Sequence, residues 1–318
     1  MKKAILFTLV ASLLLSSCKK EHSGGTKPTN GTYKINLNVS GFTQSVVTSA
    51  TNKTQVNDLK TAAVTGIGGF LDQLYYYVFD SNGKLVHFLS QDSTASNFGA
   101  ISDNLPAGTY TVVIGAGKKG FNTFSLSTSL IPQNGWYFSY NPSPYAIPLA
   151  WLDTFYDKFQ LTVSGDVNQT VQLNRIVGQL GVVIQDTIPA SANTIVVTIT
   201  QEDYALMFFP TEKLAIANTL VNTITLPAAV KGTNTFTTTN IIGNTATPIT
   251  VEITCFDAAK NILGSVTVNN VSIQKNTETI LTGKLFGSAN GFNVSLGAWT
   301  PGTITIPYSG YSGSKQTN

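Results

Sequence analysis

Few side chains in this sequence are equipped for chemistry. The chain has 318 residues, with two cysteines, two histidines and a single arginine. Cys255 sits in Val251-Glu252-Ile253-Thr254-Cys255-Phe256, an alternating run that reads as a strand. Its thiol is expected as a small buried apolar group, because a reactive thiolate needs a basic neighbour and none is adjacent. His22 lies in a polar stretch near the N-terminus and His87 in a strand pattern. A zinc site or a Ser-His-Asp relay needs a fuller set than these two. Asp153 and Asp157 could form a carboxylate pair of the glycosidase kind, but no motif surrounds them. Gly115-Ala116-Gly117-Lys118-Lys119-Gly120 lacks the spacing and the following helix of a phosphate loop. An EF-hand loop needs Gly sixth and Glu twelfth. Counting from Asp80, Gly83 is fourth and Gln91 twelfth, so this stretch reads as a turn. The expectation is a protein that is not an enzyme and carries no metal or cofactor.

The N-terminus does carry a chemical signal. Lys2 and Lys3 precede an apolar run from Ala4 to Leu15. A bilayer span needs roughly 20 apolar residues, so this run has the length of a signal-peptide core instead. It ends in Leu15-Ser16-Ser17-Cys18, which resembles the lipobox of bacterial lipoproteins. That resemblance implies cleavage before Cys18 and acylation of Cys18, and several acyl chains give stable anchoring at about 0.8 kcal/mol per buried methylene. Lys19 in place of an aspartate resembles sorting to the outer membrane, and Lys19-Lys20-Glu21 resembles the export tags of surface lipoproteins. The expected location is therefore the outer membrane, lipid-anchored and facing outward. Residues 1–17 are read as signal peptide and 18–31 as a polar tether.

The elements that follow are strands. Only 11% of residues are charged, and the net charge of +3 comes partly from lysines of the signal and tether, so nucleic-acid binding is not expected. Thr, Val, Ile, Tyr and Phe favour strands, and Asn and Gly mark turns. Tyr33, Ile35, Leu37 and Val39 alternate on one face; residues 43–66 read as a long polar loop. Asn82-Gly83 between two alternating runs predicts a hairpin. Residues 135–156 are dense in aromatics. Trp136, Tyr140 and Trp151, with Tyr137 and Tyr145, either form an exposed platform for sugar rings or belong to a connection tucked against the fold. Short strands continue at even spacing to Thr303–Tyr308. The pattern predicts an all-β protein of two tandem β-sandwich domains, residues 32–166 and 167–318.

Several segments together resemble the fimbrillin-like lipoproteins of Bacteroidota, which build type V pili. They are Leu74–Asp80 with Asn82–Val86, Leu105–Val113, Asn174–Val182, and Leu281–Phe286 followed by Trp299. The early hairpin is similar to that of the anchor subunits. The resemblance implies transthyretin-like sandwiches and a pilus role alongside other fimbrial subunits. Stalk subunits of that family lose lipid and first strand to a protease, and the groove then takes a strand from the next subunit. Lys53 and Lys60 are the basic residues available for such a cut, where the protease favours Arg, so an uncut anchor is expected. Tyr33, Ile35, Leu37 and Val39, and Ile304, Ile306 and Tyr308, are expected on edge strands that serve assembly. The rival reading is a surface glycan-binding lipoprotein beside an outer-membrane uptake system, with the aromatics of 135–156 exposed. Arg175 lies on an apolar strand, where it either pairs with a carboxylate between domains or lies exposed at a strand edge.

Overall fold

A computed structural model of the chain describes residues 31–47, 59–65, 67–128, 131–140, 150–234 and 236–299. These residues form 18 strands and one short 3-10 turn, with no α-helix among them. The all-β expectation holds. The signal segment, Cys18, Lys53, Tyr145 and the run with Ile304, Ile306 and Tyr308 lie outside the described residues.

The first sheet has eight strands. Its order is β2 (Leu59–Thr65), β1 (Thr32–Val47), β10 (Val167–Arg175), β9 (Thr154–Val163), β6 (Gly108–Gly117), β3 (Gln73–Phe79) and β4 (Leu85–Asp92), with β5 (Ala100–Pro106) also on β1. Two residue pairs alone join β9 to β10: Tyr156 with Asn174 and Phe155 with Arg175. The sheet folds at that seam into two facing halves. Ile35, Leu37, Val39, Val171 and Leu173 from one half share a core with Leu74, Tyr76, Val78, Val112 and Ile114 from the other. The period-2 pattern makes this sandwich, because each strand gives alternate residues to the inside.

The second sandwich stacks two sheets. One is β14 (Phe236–Ile242), β11 (Gly178–Ile184), β17 (Thr277–Lys284) and β18 (Gly291–Ala298). The other is β16 (Ile262–Val271), β15 (Ile249–Asp257), β12 (Ala192–Phe209), β8 (Ile131–Ser139) and β7 (Asn122–Thr128), with β13 (Lys213–Thr225) on β12. Leu180, Val182, Ile195, Val197, Ile253 and Leu281 fill the space between them. Cys255 lies in this core, and burial pushes its thiol up to about 11. It is the inert apolar group that its strand pattern implied.

Four expectations need correction. β10 pairs in parallel with β1, so a boundary at 166 would cut the first sheet. β7 and β8, from the N-terminal half, join the second sandwich instead. Residues 43–66 are not all loop, since β1 runs to Val47 and pairs with β2, placing Lys60 opposite Val46. β1 is also not an edge: β10 flanks it on one side, and β5 and then β2 on the other. The physical reason is common to all four. Sheet neighbours are chosen by which apolar faces must be buried together, and the strands concerned are far apart in sequence.

Candidate functional site

The densest concentration of unusual side chains lies where the two sandwiches meet. β3 is buried on both faces. Tyr76 and Val78 enter the first core, while Tyr77 and Phe79 point the other way into an aromatic cluster with Phe138, Tyr140, Trp151 and Phe208. β12 reaches across to build that cluster. Its first half lines the second core through Ile199. At Gln201 the backbone takes φ 62, and the register with β13 shifts between Ile199 and Glu202. This β-bulge re-aims the strand. Beyond it β12 pairs with β8 and lays Leu206 and Phe208 against the first sheet.

The contacts are close. Phe138 and Phe208 stack with centroids 4.1 Å apart, and Phe79 and Phe209 at 3.8 Å. A Cβ on Gly115 would lie 2.3 Å from the Phe138 ring, so only glycine allows this approach. Lys158 donates to the carbonyls of Phe208 and Pro210, each at 3.0 Å, and pins the tip of the β12–β13 hairpin. Aromatic pairs of this kind contribute about 0.5–1.5 kcal/mol each beyond their buried area.

These facts decide the fate of the aromatic platform. Tyr140 and Trp151 are 4% and 3% exposed, and Tyr137 is buried too. Trp136 is half-buried against Tyr77 at 5.2 Å. Of the two alternatives, these four rings follow the tucked connection and not the exposed platform, because β12 and the outer face of β3 cover them.

Arg175 is the charged member of the junction. Its Nε donates to Asp153 Oδ1 at 2.7 Å and its Nη2 to Asp153 Oδ2 at 3.0 Å, a bidentate pair. Its Nη1 donates to Asn276 Oδ1 at 2.6 Å. The guanidinium lies 4.4 Å from the Trp299 ring and 4.9 Å from that of Phe155. Arg175 belongs to the first sheet, while Asn276 and Trp299 flank β17 and β18 of the second sandwich. One side chain therefore ties both sandwiches together, the interface alternative of the two considered. Burial pushes the Asp153 carboxyl up, and the Arg175 guanidinium pulls against that.

Glu202, at the bulge, is 4% exposed. Its carboxylate accepts from Gly243 N at 2.6 Å and from Asn244 N at 3.3 Å. Asn244 in turn donates to Gln201 O at 2.5 Å and accepts from Thr247 N at 3.1 Å, so the 243–247 loop is built on this network. Burial pushes the Glu202 carboxyl up to about 8; the two N–H groups oppose this and Asp203 reinforces it. The folded state thus holds a proton that the unfolded chain has lost. Its stabilising contribution is complete below the ordinary value of 4.5 and disappears as pH rises through about 8. Urea midpoints are expected to fall between pH ~4.5 and ~8, and Glu202→Gln should flatten that dependence.

The remaining polar groups bond mainly to one another and to nearby backbone. His87 Nδ1 meets Asp103 Oδ1 at 2.5 Å, and the Tyr76 hydroxyl donates to Asp103 Oδ2 at 3.1 Å. No serine or cysteine side chain bonds to His87 among the described residues, where no group of three potential metal ligands occurs either. Asp80 Oδ1 accepts from the N–H of both Asn82 and Lys84 at 2.9 Å, and Gly83 takes φ 77, which is the hairpin that Asn-Gly predicted. Sequence reasoning missed Glu202, and with it the Asn244 loop. Their partners lie about forty residues apart, and no local pattern signals such a pair.

Comparison with known proteins gives the same architecture. A structure from Bacteroides thetaiotaomicron, described as a candidate polysaccharide-binding protein, matches at 13% identity with a TM-score of 0.51, covering 85% of this chain and 99% of that one. A candidate adhesin from Bacteroides ovatus matches at 10% identity, with 84% and 94% coverage and a TM-score of 0.47. The fimbrial anchor protein Mfa2 from Porphyromonas gingivalis matches at 11% identity, with 84% and 98% coverage and a TM-score of 0.49. The first of these establishes a shared fold. No curated protein matches the sequence. Residues 139–298 match one family, and that segment carries the seam strands, Arg175, the β12 bulge and most of the second sandwich. The chain therefore belongs to the family described as "Family of unknown function (DUF6562)".

Proposed function

We propose that the protein is a structural subunit of a surface fimbria, held to the outer membrane by lipid on Cys18 and acting as its anchor. The observation that supports this most is the position of β1. It is the first strand after the tether, and it is held between three strands that are not its hairpin partners alone. Ile35, Leu37, Val39 and Phe42 from β1 fill the first core. The sandwich is thus completed by a strand that could in principle come from another chain, which is the geometry of β-strand addition. An intact chain fills its own groove. It cannot accept a strand there, and that suits the end of a filament rather than its stalk. Lys60 lies within β2, so a protease would have to unpair that strand to cut after it. Lys53 remains the other candidate for processing. Other fimbrial subunits are the partners on this reading, meeting free edges such as β4, where Phe88 is 52% exposed.

The rival reading, sugar stacking on Trp136, Tyr140 and Trp151, has no support from the burial of those rings. A complementation experiment tests the proposal. A chain beginning at residue 48 is expected to aggregate alone and to regain cooperative unfolding with a synthetic peptide of residues 32–47. If the shortened chain folds equally well alone, β1 is dispensable and the strand-addition reading falls.

A further inference from the structure

On the solvent face of β5, β1 and β10 lies an open groove of about 500 Å³. No residue lining it is charged. Asn36 and Asn38 from β1, Asn168 and Thr170 from β10, Ser102 from β5 and Asn97 from the preceding loop supply its polar groups. The register explains the grid. Ser102, Asn36 and Asn168 form one row across three strands, and Ala100, Asn38 and Thr170 form the next. Ala100 is the small member, and it leaves a depression between Asn38 and Asn97.

The groove is organised before any ligand arrives. Asn36 Nδ2 donates to Asn168 Oδ1 at 2.9 Å, and Ser102 Oγ donates to Asn36 Oδ1 at 3.3 Å, so the first row is fixed. The wall is fixed as well. Gln91 on β4, 9% exposed, accepts from Gly99 N at 2.8 Å and donates to Ala100 O at 2.8 Å. Val39 N donates to Gly99 O at 2.9 Å, which joins the same loop to β1. Gly99 takes φ +90, and a Cβ there would meet Ile67 at 2.9 Å and the Val39 carbonyl at 3.1 Å. A buried amide bracket and an obligatory glycine thus hold Asn97 over the groove. The side-chain amides of Asn38 and Asn97 have no protein partner among the described residues, so they are free to bond a ligand.

We propose that this groove binds a neutral polyhydroxylated ligand, a segment of uncharged polysaccharide. Each carboxamide both donates and accepts, as each sugar hydroxyl does, so a row of amides can bond neighbouring hydroxyls in either sense. A charged ligand would lose hydration with no counter-charge in return. The site has no aromatic floor, so its affinity rests on hydrogen bonds and bridging water, and each contact is weak. Repeating ligands then bind through many copies of the protein on one surface. This inference is independent of the fimbrial reading.

Affinity electrophoresis of the full mature chain through gels holding dextran, mannan or galactan tests it, with heparin as the anionic control. Retardation by at least one neutral polymer is expected, and Asn38→Ala combined with Asn97→Ala should weaken it at least ~10-fold. Both positions lie on the groove rather than in a core, and the thermal midpoint of the double variant reports whether the fold is kept. A second variant, Ala100→Trp, fills the depression and should abolish retardation by the same polymer. The proposal is overturned if no neutral polymer retards the chain, if heparin alone does, or if the folded variants migrate like the parent.

Discussion

Replacing Arg175 by alanine is expected to lower unfolding free energy by about 3–5 kcal/mol and to let the two sandwiches unfold separately. Exposed ion pairs are worth only about 0–1 kcal/mol, so burial decides which figure applies. The Arg175 side chain is 1% exposed and Asp153 19%, which places the pair in the buried regime. Removing the guanidinium takes two donors from the Asp153 carboxylate, one from the Asn276 side-chain oxygen, and the cation from the Trp299 ring. Arg175→Lys should recover the lesser part, since an ammonium cannot form the fork or stack flat on a ring. Urea unfolding followed by far-UV circular dichroism and by tryptophan fluorescence measures both effects. A single shared transition within about 0.5 kcal/mol of the parent would mean that Arg175 does not hold the junction.

Gly283→Ala is expected to be comparably severe. A Cβ at this position would lie 2.0 Å from the Gly291 carbonyl oxygen and 2.6 Å from the Phe292 Cα. Both are backbone atoms, so no side-chain rotation relieves the overlap. β18 must move off β17, to which Gly283 pairs through Phe292. The cost is expected at about 3 kcal/mol or more, beyond ordinary overpacking. β18 also leads directly to Trp299, so the variant should loosen the Arg175 junction and split the transition as Arg175→Ala does. Gly165→Ala is the control. Nothing lies within 4 Å of its Cβ position, and a change within about 0.5 kcal/mol is expected.

These two residues show what was legible in the sequence. The lone arginine on an apolar strand raised the interface alternative by itself, because an isolated guanidinium is costly to bury unless paired. Its partner could not be read, since Asp153 and Asn276 lie 22 and 101 residues away. Alternation located β1, β3 and β6, and Asn-Gly fixed the β3–β4 turn. Alternation says which residues share a face, not which strand lies beside it. The boundary at 166 failed for that reason: a Gly-Asp turn looks the same within a domain as between two. The aromatics of 135–156 allow both readings because both need large rings, and only the second half of β12 decides that Tyr137, Tyr140 and Trp151 are covered. Leu59–Thr65 has little periodicity, so β2 was hidden in what read as loop. The polar groove was invisible for the opposite reason. Asparagine and threonine on strand exteriors look like ordinary solvated surface until three strands place them side by side.

On the anchor reading the protein sits at the base of a filament, with its own β1 completing the first sandwich. The most direct measurement is made on native cells. Sheared filaments and the outer-membrane fraction are purified, and mass spectrometry locates the protein and reads its mature N-terminus. An anchor predicts recovery with filament subunits, retention in the membrane fraction, and an N-terminus at acylated Cys18 with residues 32–47 intact. A new N-terminus after Lys53 or Lys60, or absence from filament-bearing membrane altogether, would contradict it.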